Sequence, residues 1–479
     1  MGRWRRCWRG GGSVASRNHG AADCEDRTGL SADLSDVIRE TTAAGGRSPA
    51  APSPGLRGRY LGAVTWSIAG LGLSRGATFV ASMFTARLLG AESFGGFAIV
   101  QSTVSVAAAF AGAGLGVTAS RYLAEFRASD PERAGRLLGL ASAVALISGA
   151  ALAFSTFTSA PFIAGHVLHA PALLLPLRIA SLLVLFTALN GYQTGSLAGL
   201  EAFRTMAMVN LCSGVVSCPV IIFGAYRGGI SGAVWGLSAA MFATWALNQL
   251  TLRHVCVQCG ITWAWRDCWS EAHLIYRTSL PVLLSSLIVV PSMWLCNYWV
   301  VQRPHGYQQL GIYTAADRYR LLLLFVPGAI GATMLPLLSS FRGGGDGAGF
   351  RKLLRANVFV ISAIVSVPAL FIALCARRAM GYFGPSYLSG APILVVLSVS
   401  AIAESLNAAV GQAVLTSSAW RRFYFDVMLF SIICGAAYLL VPRLGALGLA
   451  TAYLTGFTCT AAALLIYVRP TKIHPISVS

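Results

Sequence analysis

Apolar residues run along this chain in long stretches, not in the one-faced or alternating patterns of water-soluble helices and strands. Twelve such segments lie near 61–85, 94–117, 136–158, 173–195, 205–225, 229–251, 278–301, 311–339, 354–376, 391–413, 422–441 and 445–468. A hydrocarbon core ~30 Å thick takes roughly 20 apolar residues per helix, so each segment is long enough to cross. None shows the ten-residue alternation of a barrel strand. Non-helical backbone facing lipid would leave polar groups unpaired, so the segments predict helices. The expected fold class is an all-α polytopic membrane protein with twelve transmembrane helices.

Composition supports this reading. Of 479 residues, 56% are hydrophobic and only 11% charged, against about 25% charged in soluble domains. A water-soluble globule and a disordered chain are both excluded. The balance of 36 Lys and Arg against 17 Asp and Glu gives +19. That surplus sits in the connections between segments, and no nucleic-acid-binding motif accompanies it, so nucleic acid is not an expected partner. With the N-terminus placed in the cytosol, nineteen Arg and Lys of the connections fall inside. Six fall outside: Arg87, Arg227, Arg303, Arg377, Arg378 and Arg443. The bias predicts that both termini are cytosolic. Residues 1–59 hold ten Arg, six acids and no apolar run, and read as a disordered basic cytosolic tail without a signal-peptide core.

The two halves repeat at a nearly constant offset. Arg87-x2-Gly90, followed by Phe94-Gly95-x-Phe97, returns in the second half as Arg303-x2-Gly306 and Leu310-Gly311-x-Tyr313. Phe126-Arg127 matches Phe341-Arg342, and Gly229-x2-Gly232 matches Gly445-x2-Gly448. Leu189-Asn190 with Arg204 matches Leu406-Asn407 with Arg421. The repeat unit is six segments, an even number, so the halves run in the same direction. Two six-helix lobes related by a parallel pseudo-repeat are expected, a plan in which transporters bind substrate between the halves. The domains read as a tail at 1–59, a first lobe at 60–252, a cytosolic connection at 253–277, a second lobe at 278–468 and a cytosolic tail at 469–479.

Six stretches carry a family resemblance: ARLLGAESFGGFAIVQS, GLGVTASRYLAEFR, GLEAFR, YRTSLPVLLSSL, LGIYTAADRYRLLLLFVPGAI and FGPSYLSGAPILVVLSVS. They resemble the polysaccharide-unit flippases (Wzx type) of the multidrug/oligosaccharidyl-lipid/polysaccharide exporter superfamily, over roughly 60–468. The resemblance implies two lobes around a central cavity and a place in the bacterial inner membrane. The implied substrate is a polyprenyl-diphosphate-linked oligosaccharide, moved from the cytosolic to the outer leaflet for surface or exopolysaccharide synthesis. Polysaccharide polymerase and chain-length machinery are the implied protein partners. The lipid II flippases of the superfamily carry two further spans, which twelve segments do not match.

Charges inside the membrane are costly and therefore informative. Arg75, Arg178, Asp317, Arg318, Arg320, Glu404 and Asp426 fall within segments. A diphosphate crossing lipid needs cations, and the planar fork of Arg donates to phosphate in pairs. Arg75, Arg318 and Arg320 lie on segments that line the cavity in the resembled family and are the expected diphosphate clamp. Against this, Arg320 can pair with Asp317 one turn away. Glu404, Asn407 and Gly411 share one face of their segment, and Glu404 is a candidate proton carrier. Asn190 begins a similar stripe with Gln193 and Thr194, better suited to joining helices. Asp317 and Asn190 complete the polar candidates. Arg178 sits near the outer surface and is expected to snorkel.

The connection at 253–277 contains Cys256-x2-Cys259-x8-Cys268-x4-His273, zinc-type ligands at a spacing that fits no standard finger. Its Trp263, Trp265 and Trp269 suit a membrane interface better. No P-loop is present, and no cofactor is expected. Two rival functions exist. A cation-coupled multidrug antiporter of the same fold would use several membrane acids, which the first six segments lack. A glycan polymerase or ligase would place acids or Arg and His on a large outside loop, and the outside stretches here are short. The chain is therefore expected not to be an enzyme.

Overall fold

The structure, a computed structural model, describes residues 54–112, 114–264, 269, 272–343, 347–415 and 419–468. The tail up to residue 53, the tail from 469 and positions such as Cys268 lie outside the described residues. The described residues from Gly62 onward belong to one compact unit.

Among the described residues the regular structure is all helical. The α-helices are α1 Pro54–Gly112, α2 Leu115–Ser129, α3 Pro131–Phe162, α4 Leu174–Gly199, α5 Phe203–Gln258, α6 Ala272–Val301 and α7 Gly306–Leu323. They continue as α8 Phe325–Gly343, α9 Gly347–Leu374, α10 Ala376–Gly381, α11 Ala391–Leu415, α12 Ala419–Leu444 and α13 Ala446–Val468. Eight stretches are long and apolar enough to cross a membrane, by length and composition. Two of these, Gly72–Arg127 and Phe203–Gln258, are 56 residues long, more than twice what one crossing needs. Apolar side chains point outward along the helices: Phe223 and Leu250 on α5, and Phe359, Val367, Phe371 and Leu374 on α9. An exposed apolar surface of this extent fits lipid rather than water.

Local chemistry sets the helix ends. Asp130 caps α3 by accepting from the Arg133 backbone N–H at 3.0 Å, with Pro131 in the first turn. The chain folds back inside α5 at Gly228 and Gly229, the latter at φ 55°. Beyond that turn Gly224 and Gly232 approach so closely that a Cβ on either would meet the other's carbonyl. The segment expected to be continuous over 311–339 is instead two helices, α7 and α8, parted at Leu324. Pro327 is the cause: its ring excludes the bond that would close on the carbonyl of Leu323. The connection expected at 253–277 is also shorter, because α5 runs on to Gln258 and α6 begins at Ala272.

The repeat is visible in the backbone. Left-handed residues recur at Gly229 (φ 55°) and Gly445 (φ 59°), at Gly90 (φ 75°) and His305 (φ 55°), and at His169 (φ 51°) and Gly384 (φ 126°). The members of each pair stand one repeat length apart, to within a single position. The halves also touch reciprocally. A Cβ on Gly95 would strike the Tyr307 carbonyl, and one on Gly311 would strike the Ala91 carbonyl. Only glycine lets the two helices cross this closely.

Beside that crossing, side chains of each half bond the backbone of the other. Tyr307 donates to the Leu168 carbonyl at 2.8 Å and Gln302 to Val167 at 3.0 Å. In return Tyr387 donates to the Ala86 carbonyl at 2.9 Å. The halves are thus locked together at the end marked by Gly90 and His305. A cavity of about 600 Å³ lies farther along, lined by Gln101, Ser105, Gly112, Thr187 and Met241 of the first half and by Ser286 and Val290 of the second. The distance from Gly90 to Gln101 along α1 is roughly 16 Å at 1.5 Å per residue.

Candidate functional site

The cations expected to act together divide into two groups. Arg75 on α1 and Arg318 on α7 come from opposite halves and line one small pocket of about 60 Å³, with Thr78, Phe79, Leu321 and Leu322. Among the described residues no carboxylate belongs to that lining. Arg75 is exposed and Arg318 half-buried. Arg318 Nη2 reaches Gln101 Oε1 at 3.4 Å, and its Nε is buried without a partner among the described residues. Gln101 also walls the larger cavity between the halves, so Arg318 reaches toward that cavity as well.

Phe79 braces this region. Its ring meets Tyr319 edge-on at 4.9 Å and Phe383 at 6.0 Å, which holds α1 against α7 and the 383–390 segment. Two further bonds join the halves near Gln101. Trp294 Nε1 donates to Thr103 Oγ1 at 3.0 Å, and Asn297 Nδ2 donates to Ser102 Oγ at 3.2 Å.

Arg320 lies two residues from Arg318, and a two-residue step turns its side chain far around the helix. It is 4% exposed and is held by two carboxylates. Its Nε donates to Asp317 Oδ1 at 2.7 Å, and its Nη1 pairs with Glu404 Oε2 on α11. The guanidinium also lies 5.4 Å from the Tyr453 ring centroid on α13. A buried cation with two anions and an aromatic face is well compensated. Arg320 therefore ties α7, α11 and α13 together, and it is directed away from the pocket of Arg75 and Arg318. In this arrangement Asp317 and Glu404 are both occupied by that guanidinium. Asn407, on the same helix as Glu404, is 2% exposed, with both amide atoms lacking a partner among the described residues.

Asn190 belongs to a separate amide network between α4 and α5. Its Nδ2 donates to the Met241 carbonyl at 3.3 Å and its Oδ1 accepts from Asn248 at 3.1 Å. Gln193 Nε2 and the Tyr192 hydroxyl both donate to Gln249 Oε1, at 2.6 and 3.2 Å. Arg178 is exposed and stacks over Phe157 at 5.3 Å. Asp426 pairs with Arg422 at 2.9 Å, and that guanidinium lies against Gly411.

Sequence reasoning missed Gln101, Phe79 and Tyr453. A lone amide in the apolar run around Gln101 was the available signal. Nothing in residue spacing pointed to Tyr453.

The family described as "Polysaccharide biosynthesis protein" matches this chain over residues 61–342, which include Arg75, Arg318 and Arg320. The chain belongs to that family. The flippase family expected from motifs such as ARLLGAESFGGF is thus the family found. A curated member from Ralstonia nicotianae (strain ATCC BAA-1114 / GMI1000), "EPS I polysaccharide export inner membrane protein EpsE", is 25% identical over 400 residues. The match covers 82% of this chain and 89% of that protein. Among solved structures, an inward-facing multidrug resistance MATE family transporter of the MOP superfamily superposes with TM-score 0.67 at 18% identity. It covers 84% of this chain and 97% of its own. The lipid II flippase MurJ, in an inward closed conformation, gives 0.65 at 14% identity, covering 85% of this chain and 86% of its own. The polysaccharide biosynthesis family member described here therefore has the fold of these membrane transporters.

Proposed function

We propose that this chain is a bacterial inner-membrane flippase. It moves a polyprenyl-diphosphate-linked oligosaccharide from the cytosolic to the outer leaflet for surface or exopolysaccharide synthesis. One observation carries the reading: Arg75 and Arg318, from opposite halves, share a pocket that no carboxylate among the described residues lines. The nearby acids Asp317 and Glu404 are held by Arg320. A centre with cations available and acids engaged suits an anionic head group better than the cationic cargo of an antiporter.

In this reading the chain forms twelve transmembrane helices in two six-helix lobes, with α1 and α5 each counting as parts of two spans. Both termini are cytosolic, so the end locked at Gly90 and His305 is the outer one. The cavity walled by Gln101, Thr187 and Ser286 then serves the cytosolic side. The diphosphate enters there and meets the two guanidinium forks, each able to donate twice to phosphate oxygens. Because the forks sit on different halves, rocking of one half against the other hands the head group across. The lipid tail stays in the bilayer, and the glycan fills the cavity. Polymerase and chain-length proteins would take the product.

The test is genetic. Deletion of the gene is expected to remove a surface glycan and to leave lipid-linked units in the cytosolic leaflet, both read by mass spectrometry. Wild type and Arg178→Ala restore the glycan, whereas Arg75→Ala and Arg318→Ala do not. Unchanged glycans together with increased sensitivity to cationic dyes would instead favour the antiporter.

A further inference from the structure

The second half carries another cationic cavity, at the end where the halves are locked. It measures about 650 Å³, and its wall includes Arg303, Gln309, Ser389, Arg443 and Ala446, with no acidic residue among the described residues that line it. Arg303 Nη2 donates to the Pro442 carbonyl at 2.6 Å, which joins the two arginine-bearing turns. Gln309 is fixed as well: its Oε1 accepts from the Ala446 N–H at 3.1 Å and its Nε2 donates to Pro304 at 3.4 Å. Arg443 is exposed, with no ion pair among the described residues. Helix α12 ends at this cavity, at Leu444, where α13 begins at Ala446, so their dipole ends oppose each other and the guanidinium groups supply the net charge. Charge of one sign inside a walled cavity concentrates anions.

The repeat supplies an internal comparison. Arg87 and Arg227 are the repeat counterparts of Arg303 and Arg443, so both halves hold the same arginine pair. Leu173, 3% exposed, and Ile230 pack over Gly96. The repeat counterpart of Leu173, at the same offset, is Ser389, which is exposed and lines the cavity. A buried leucine in the first half thus stands where an exposed, cavity-lining serine stands in the second.

We propose that this second-half cavity is an additional anion site that takes the phosphate or diphosphate group of a lipid head group at the membrane surface. Its assignment to the outer leaflet rests on the orientation proposed above; the binding does not.

The test uses the full-length chain in phosphatidylcholine nanodiscs, carrying Arg75→Gln to weaken the central pocket, titrated calorimetrically with inorganic pyrophosphate. Saturable binding is expected. Arg443→Gln should weaken it about tenfold or more, the scale of a lost charge-assisted bond. Ser389→Leu should do the same with every charge retained, because it installs the residue of the first half in an exposed position. Arg227→Gln should leave the affinity unchanged, and size-exclusion profiles verify that each variant is folded. Competition by phosphatidylglycerol would mark a phospholipid as the occupant, and competition by a polyprenyl diphosphate alone would mark the carrier lipid; either supports the site. No binding, an affinity indifferent to Arg443→Gln and Ser389→Leu, or an equal loss with Arg227→Gln would overturn it. None of these readings depends on flipping, so this site and the central one fail separately.

Discussion

In the first half, α4 and α5 are joined by neutral groups: Asn190 with Asn248 and the Met241 carbonyl, and Gln193 and Tyr192 with Gln249. In the second half, the repeat counterpart of α4 is α11, and it is joined to α7 by charge, through Glu404, Arg320 and Asp317. The backbone turns around the two regions match, down to the left-handed glycines at 229 and 445. The repeat has kept the geometry while the interior chemistry has diverged. Amides hold one half at little electrostatic risk. The other half stakes part of its packing on a buried ion network, and the sequence neighbour of that network, Arg318, supplies the pocket between the halves.

The largest effect should come from breaking the charged side of this comparison. Arg320→Met leaves two half-buried carboxylates without their cation, a loss of about 3 kcal/mol, at the lower end of the range for breaking a buried pair. A clear drop in thermal midpoint in detergent is expected, followed by fluorescence-detected size exclusion. Adding Asp317→Asn and Glu404→Gln should restore most of the loss, because the penalty belongs to uncompensated charge. A triple variant no more stable than Arg320→Met would mean that packing, not charge, dominates there.

The neutral side should break more gently. Gln249→Leu strips the acceptor from Gln193 and Tyr192 and should cost about 1–3 kcal/mol in the same assay. If it cost as much as Arg320→Met, the contrast between the halves would be lost. A smaller difference should separate the matched turns. Alanine is strained at the positive φ of both glycines. Gly229 faces open space, whereas Gln309 lies against Gly445. Gly445→Ala should therefore lower the thermal midpoint more than Gly229→Ala, and equal losses would show that Gln309 moves aside freely.

Much of this was legible in the sequence. Apolar runs marked the helices because lipid demands them. The glycine and aromatic matches marked the repeat because Gly95 and Gly311 are where two backbones cross. Arg320 with Asp317 was legible as a pair one turn apart. The third member, Glu404, was visible as a membrane charge, but its partner Arg320 lies on a distant helix, and no spacing rule spans that separation. The clamp expected from three arginines showed the same limit. Sequence grouped them by segment, whereas the helical step from Arg318 to Arg320 sends one toward the interface between the halves and the other into the second half. Pro327 signals the break at Leu324, but the apolar run continues through it and masks the signal.

The most direct measurement follows a fluorescent polyprenyl-diphosphate oligosaccharide in proteoliposomes, where a membrane-impermeant quencher reads the leaflet it occupies. The expected result is transfer by the wild type and by Arg178→Gln, with the rate reduced about tenfold or more in an Arg75→Gln, Arg318→Gln double variant, since each lost charge-assisted bond is worth roughly 1.5–3 kcal/mol. Transfer at the wild-type rate by a folded double variant would contradict a head-group site between the halves.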